Sequence, residues 1–230
     1  MDPRLAQALV EFDTTMGLDW IPIDPASRAP AQADAERPPE ATSLAELERL
    51  HADTCVHCTR VTGHRRLVFG EGSAHARLMF VGEAPGADED REGRPFVGRA
   101  GELLGRMIEA LGLSRGDVYI ANVLKARPPE NRNPTPEEAA LCGQWLHRQI
   151  DLISPAVIVA LGAVPMKYLL ETSEGITNAR GRWGSIDANG TQIAVMPTFH
   201  PAYVLRQYTP EVRGAVWSDL QAAHGRAYPD

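Results

Sequence analysis

Cys55-Val-His-Cys58 places two thiols within one helical turn. In a chain with three cysteines and no export signal, such a pair reads as metal-binding or redox chemistry, not as a structural disulfide. The third thiol, Cys142, lies far along the chain. A second group of reactive side chains stands at the ends of apolar runs. Glu83 follows Leu78-Met79-Phe80-Val81-Gly82, Asn122 closes the run around Ile120-Ala121, and His200 follows the run that ends at Phe199. A carboxylate, an amide and an imidazole can position water, read a hydrogen-bonding edge and donate to developing charge. Each also has a plain explanation, as a solvated loop acid or a turn residue. Together they mark one edge of a sheet.

The elements that must position them alternate. Arg77–Gly82 reads as a short buried strand and AGELLGRMIEALGL as a helix with Leu104, Ile108 and Leu111 on one face. DVYIANVL is a strand. Pro136 to Ile153 is a helix, with Thr135 as N-cap, Pro136 at N1 and Glu138 at N3. AVIVALG is a continuous apolar strand of the kind covered on both faces. AVPMKYLLE is a helix, TQIAVMPTF a strand, HPAYVLR a turn and helix, and EVRGAVWSDLQAAHG a closing helix. Such alternation predicts an α/β fold with a parallel sheet, its site beyond the carboxyl ends of the strands. Near the front, Ser43 and Glu46 form a capping-box pattern for a helix leading into Cys55. Residues 1–20 hold a candidate short amphipathic helix, and residues 21–42 have the Pro/Ala-rich composition of a disordered linker. An extension over 1–44 and a domain over 45–230 follow.

The net charge is −7, but residues 1–50 carry −6 of it. The body is near neutral, which leaves room for a local basic stripe facing nucleic acid. There is no apolar run long enough for a membrane span and no secretory signal, so a cytoplasmic protein is expected. GEAPG lacks the Lys-Ser/Thr of a P-loop, no G-x-G-x-x-G follows the first strand, and no zinc-deaminase signature is present. The histidines make no evident zinc pattern with Cys55 and Cys58, so a zinc site would need a distant fourth ligand.

Four stretches carry a resemblance: GEAPGADEDREGRPFVGRAGELL, YIANVLKARPPENRNPTPEEAALC, VIVALGAVP and MPTFHPAYVLR. With the Cys55-x-x-Cys58 segment they resemble the family 4 uracil-DNA glycosylases, the iron–sulfur branch, over about residues 50–225. The resemblance implies a three-layer α/β/α fold with a central parallel four-stranded sheet. It implies hydrolysis of the N-glycosidic bond of uracil in DNA, leaving an abasic site; a monomer is the plain expectation. Phe96 matches the aromatic that stacks on the flipped base, with Gly82 and Ala84 in the surrounding loop. Asn122 matches the amide that reads the uracil edge. His200 matches the imidazole that donates to uracil O2. Glu83 matches the carboxylate that positions water or steadies the cationic sugar, with Glu89 ranked second for that task. Lys125, Arg127 and Arg132 are candidate phosphate contacts. Tyr203, Val204, Leu205 and Arg206 fall in the segment similar to the minor-groove loop.

The sequence departs from the family at one point. The resemblance implies a [4Fe–4S] cluster on four cysteines, of which Cys55, Cys58 and Cys142 are present. The remaining position is Ala126, which cannot ligate iron. Three outcomes are open: a cluster on three thiolates with water, a small thiol or another side chain such as His57 or His147 on the fourth iron, a [3Fe–4S] form, or an empty site with buried cysteines; a bound cluster is the expectation. The lost cysteine also motivates a second reading, a non-catalytic uracil- or DNA-binding module of the same fold.

Overall fold

The computed structural model describes residues 38–60 and 63–229. The candidate helix within residues 1–20 and most of the predicted linker lie outside the described residues.

Helix α1 (Leu44–Thr54) starts at Ser43, whose side chain accepts from the Glu46 backbone N–H. The return contact of the expected box goes elsewhere, as Glu46 accepts from the Thr42 backbone N–H at 2.8 Å. Helix α2 (Val56–Arg60) follows directly. Strand β1 (Glu71–Gly72) precedes β2 (Leu78–Gly82), then come α3 (Ala87–Glu92), α4 (Arg99–Ala110) and β3 (Tyr119–Asn122). A 3₁₀ turn (Pro129–Asn131) leads to α5 (Pro136–Ile153), where Thr135 is the N-cap as expected and, with Glu138, forms a full capping box. The chain continues through β4 (Val157–Leu161), α6 (Ala163–Leu170), α7 (Ile176–Ala179), β5 (Gly184–Ala188), β6 (Thr191–Thr198), α8 (Pro201–Arg206) and α9 (Pro210–Ala227).

The sheet order is β1-β3-β2-β4-β6-β5. The central four strands are parallel, as expected, and β1 and β5 add antiparallel edges. Alternation along β2 explains the layers. Met79 and Val81 join Leu47, Trp145, Leu146 and Met166 in one core. Leu78 and Phe80 join Leu104, Ile108, Val216 and Leu220 in the other. Helices α1, α5 and α6 thus cover one face, and α4 and α9 the other. The chain runs from β2 out to β3, then crosses back past β2 to β4. That reversal opens a crevice at the carboxyl ends, where parallel sheets place their sites.

Candidate active site and metal centre

Gly82 ends β2 opposite Asn122 in the register of β3. A Cβ there would stand 2.4 Å from Asn122 Oδ1 and 2.6 Å from Phe96 Cζ. The amide and the ring therefore lie directly on the Gly82 backbone, an approach only glycine permits. Asn122 is buried, and its Oδ1 has no hydrogen-bond partner among the described residues. Leaving such an atom unpaired costs about 1–3 kcal/mol. A ligand N–H would recover that loss.

Phe96 has φ 52°, a left-handed conformation that a bulky aromatic rarely adopts. The loop around it is built to hold it. Arg115 donates to Phe96 O at 3.1 Å and to Pro95 O at 2.7 Å. Glu89 accepts from the Val97 and Gly98 N–H groups through Oε1 and from the Gly86 N–H through Oε2. Gly101 lets α4 pass under the loop, since a Cβ there would fall 1.9 Å from Phe96 O. The Phe96 ring faces the His200 ring at 5.6 Å between centroids, tilted by 31°.

His200 is the N-cap of α8, and its Nδ1 accepts the Ala202 backbone N–H at 3.1 Å. That bond requires a bare Nδ1, so the hydrogen-bond network places the proton of the neutral ring on Nε2. Burial lowers the imidazole to about 4, the Arg206 charge acts in the same direction and Glu89 opposes it. At neutral pH His200 is an uncharged Nε2–H donor. Gly162, at φ 100°, passes beside its Cβ.

Glu83 is half-buried, and desolvation pushes its carboxyl above the ordinary value. Its backbone is fixed by continued pairing beyond the strands, with Leu124 N–H donating to Glu83 O at 3.0 Å. Glu83, Ala84, Gly162, His200, Arg132 and Arg206 border a cleft of about 380 Å³. The cleft rim thus offers a carboxylate with raised affinity for protons and a neutral imidazole donor, and behind it, against Gly82, lie a held aromatic and an amide with a spare acceptor. Such a set can bind a flat heterocycle and stabilise charge leaving it.

A second cluster lies inside the other core. His51, Cys55, Cys58 and Cys142 are all buried, and their ligand atoms lie within 4.8 Å of one another. His51 Nε2 is 3.2 Å from Cys58 Sγ, which is 3.7 Å from Cys142 Sγ. The Lys125 backbone N–H donates to Cys142 Sγ at 3.1 Å.

A family profile described as the uracil DNA glycosylase superfamily matches residues 69–221. The chain is 46% identical over 181 residues to the type-4 uracil-DNA glycosylase of Thermotoga maritima, covering 78% of this chain and 93% of that protein. It is 45% identical over 182 residues to the type-4 enzyme of Sulfurisphaera tokodaii, covering 76% and 82%. With the type-4 enzyme of Archaeoglobus fulgidus it shares 42% over 172 residues, covering 73% and 85%. The chain belongs to the uracil-DNA glycosylase superfamily.

Within this superfamily member, several residues sit elsewhere than their types suggested. Lys125 is fully buried, donating to Asn122 O at 2.7 Å and Gln149 Oε1 at 2.6 Å. It cannot reach a phosphate, and burial lowers its ammonium to about 8. Its position ties the backbone of Asn122 to the thiol cluster. Glu89 is committed to loop N–H groups, which makes it a scaffold for Phe96 and leaves Glu83 as the carboxylate open to the cleft. Arg132 is held by Glu138 with two bonds of 2.6 Å, and Arg127 by Asn131 at 2.6 Å with Asp90 3.8 Å away. Arg132 borders the cleft, whereas Arg127 lines a separate depression beside Pro128 and Glu130. Tyr203 and Arg206 are exposed on α8, and Leu205 is half-buried. Val204 is buried in the core and cannot act as a wedge.

The cluster that the resemblance implies finds three thiolates and, at Ala126, a buried methyl group. The donor set still suits a thiophilic metal centre, because three sulfurs and an imidazole converge away from water. Neither suggested substitute belongs to this group: His57 lies outside it, and the His147 ring packs tilted against Tyr168, 5.4 Å between centroids. His51 was passed over in the sequence because no familiar zinc spacing was present. The available signal is its position four residues before Cys55, in the last turn of the helix that Cys55 caps.

Among the described residues no helix is long and apolar enough to cross a membrane.

Proposed function

We propose that this chain is a uracil-DNA glycosylase of the type-4 class, which hydrolyses the N-glycosidic bond of uracil in DNA and leaves an abasic site. The observation that carries the reading is the packing of Asn122 and Phe96 on Gly82, beside the neutral donor His200 and the cleft-facing Glu83. The relatives' names support the same activity.

The chemistry follows from the atoms. A uracil extruded from the helix enters the cleft and stacks on Phe96. Asn122 Oδ1 accepts from uracil N3–H and its amide donates to O4. Cytosine presents a bare N3 and a 4-amino group, reversing both contacts and leaving buried polar groups unpaired. As the C1′–N1 bond breaks, its electron pair moves onto uracil, and the His200 Nε2–H donates to O2 where that charge collects. Glu83 steadies the cationic sugar and orients water, whose oxygen bonds to C1′. The water gives up a proton to Glu83 or to solvent. Uracil then takes a proton, completing the hydrolysis. Arg206, and after release from Glu138 also Arg132, meet backbone phosphates, while Tyr203 and Leu205 border the opened stack.

A [4Fe–4S] cluster, held through Cys55, Cys58 and Cys142, would supply structural support and take no part in bond breaking. The three free thiols suit a reducing cytoplasmic compartment, and we read the chain as a monomer. Matched oligonucleotides with one uracil, cytosine or thymine test the activity, with free base measured by chromatography. Release from uracil DNA alone is expected. Tight binding of uracil DNA by folded protein without release would favour the non-catalytic module.

A further inference from the structure

The fourth position of the thiol cluster has two features that need a common cause. The residue expected to supply a thiolate is Ala126, whose buried methyl group offers no donor. In the same core, His51 is 1% exposed and directs Nε2 to within 3.2 Å of Cys58 Sγ. Its ring is wedged between Phe69, at 5.5 Å, and Trp145, at 5.1 Å, which fixes its direction by packing. Its Nδ1 has no hydrogen-bond partner among the described residues. With Nε2 given to a metal, Nδ1 would carry the proton and face away from it. The polar contacts of the ring are sulfurs of the thiol group, Cys58 and Cys55.

We propose that His51 is the fourth protein ligand of this site. It takes the place of the thiolate missing at Ala126 and completes a Cys₃His shell around a thiophilic metal. The spacing His51-x-x-x-Cys55-x-x-Cys58 serves this end. His51 lies in the last turn of α1 and Cys55 is its C-cap, α2 carries Cys58, and α5 brings Cys142. The ligand has moved in the chain, from the loop after β3 to the last turn of α1, while the centre has stayed in place.

Two occupants share this donor chemistry. An iron–sulfur cluster accepts imidazole in place of thiolate at an iron corner. A single zinc-class ion takes three sulfurs and one nitrogen in a tetrahedron, with ligand atoms about 3.8 Å apart for metal–sulfur bonds of about 2.3 Å. The 3.7 Å between Cys58 and Cys142 Sγ already matches the second. A cubane requires its ligands farther apart.

The test uses the full chain purified without oxygen. Iron, acid-labile sulfide and zinc are measured on the wild type, H51A, H51C, and the double variant H51A/A126C. The wild type should carry stoichiometric metal. H51A should lose it about 10-fold or more readily to a chelator, and H51C and H51A/A126C should regain it. Iron with sulfide, and nitrogen coupling in pulsed electron paramagnetic resonance that vanishes in H51C, would identify a His-ligated cluster. One zinc with a three-sulfur, one-nitrogen X-ray absorption signature would identify the single ion. Either places His51 on the metal. Metal content and spectra unchanged in H51A would overturn the proposal, as would a wild type that binds neither. Because the readout is metal and not base release, the result stands apart from the excision activity.

Discussion

His200 and Glu83 are displaced from their ordinary proton affinities in ways that a pH profile can read. The His200 imidazole sits at about 4 in the fold against 6.5 for the free group. Between these values the unfolded chain binds the additional proton. The contribution of this residue to stability is therefore complete above about pH 6.5 and is lost as pH falls toward 4. Excision should accordingly show no inflection near the ordinary histidine value. Its acid limb should belong to Glu83, whose carboxyl desolvation raises above 4.5. A plot of kcat/KM against pH should fall below a pKa above 4.5, and Glu83→Gln should lower the plateau and remove that limb. A limb unmoved by Glu83→Gln would assign it elsewhere. These residues were legible because each follows an apolar strand. Lys125 was misread because a lysine beside two arginines looks exposed, and sequence does not reveal that Gln149 waits in the core to receive it.

At the scale of elements, the loop between β2 and α4 does the most positioning. It contains α3, a short helix that its charged sequence concealed, and it ends in the left-handed Phe96. Arg115 bridges this loop to the edge strand β1, bonding the carbonyls of Pro95 and Phe96 and lying 3.4 Å from Glu71. Arg115→Ala should free the ring, raising KM about 10-fold with a smaller change in kcat, given the worth of charge-assisted hydrogen bonds. Steady-state kinetics would show it, and an equal fall in kcat with KM constant would speak against a stacking role. Gly101→Ala should act through the same ring, because the new methyl group would collide with Phe96 O. The parallel strands were legible as unbroken apolar runs. Strand β1 is two residues long and β5 alternates buried with exposed positions, so neither carries such a run.

For the whole molecule, the near-neutral body must grip a polyanion through locally placed cations. Arg206 borders the cleft from an exposed position, whereas Lys125 is enclosed. Arg206→Ala should reduce the slope of log affinity against log salt by about 1. Lys125→Met should leave that slope unchanged and act on thermal stability and on the placement of Asn122. Salt titrations of DNA binding separate the two, and a slope lost with Lys125 would contradict its burial. The architecture was legible as strand–helix alternation, but the joining of α1, α2 and α5 around His51 was not, because it depends on packing between distant segments. Every role above depends on this rim cutting the glycosidic bond. The most direct measurement is the single-turnover rate of uracil release from a single-uracil oligonucleotide, for the wild type and for His200→Ala of equal melting temperature. Release by the wild type is expected, with a loss of about 10²–10³-fold in the variant. Equal rates, or a folded wild type that releases no uracil, would contradict it.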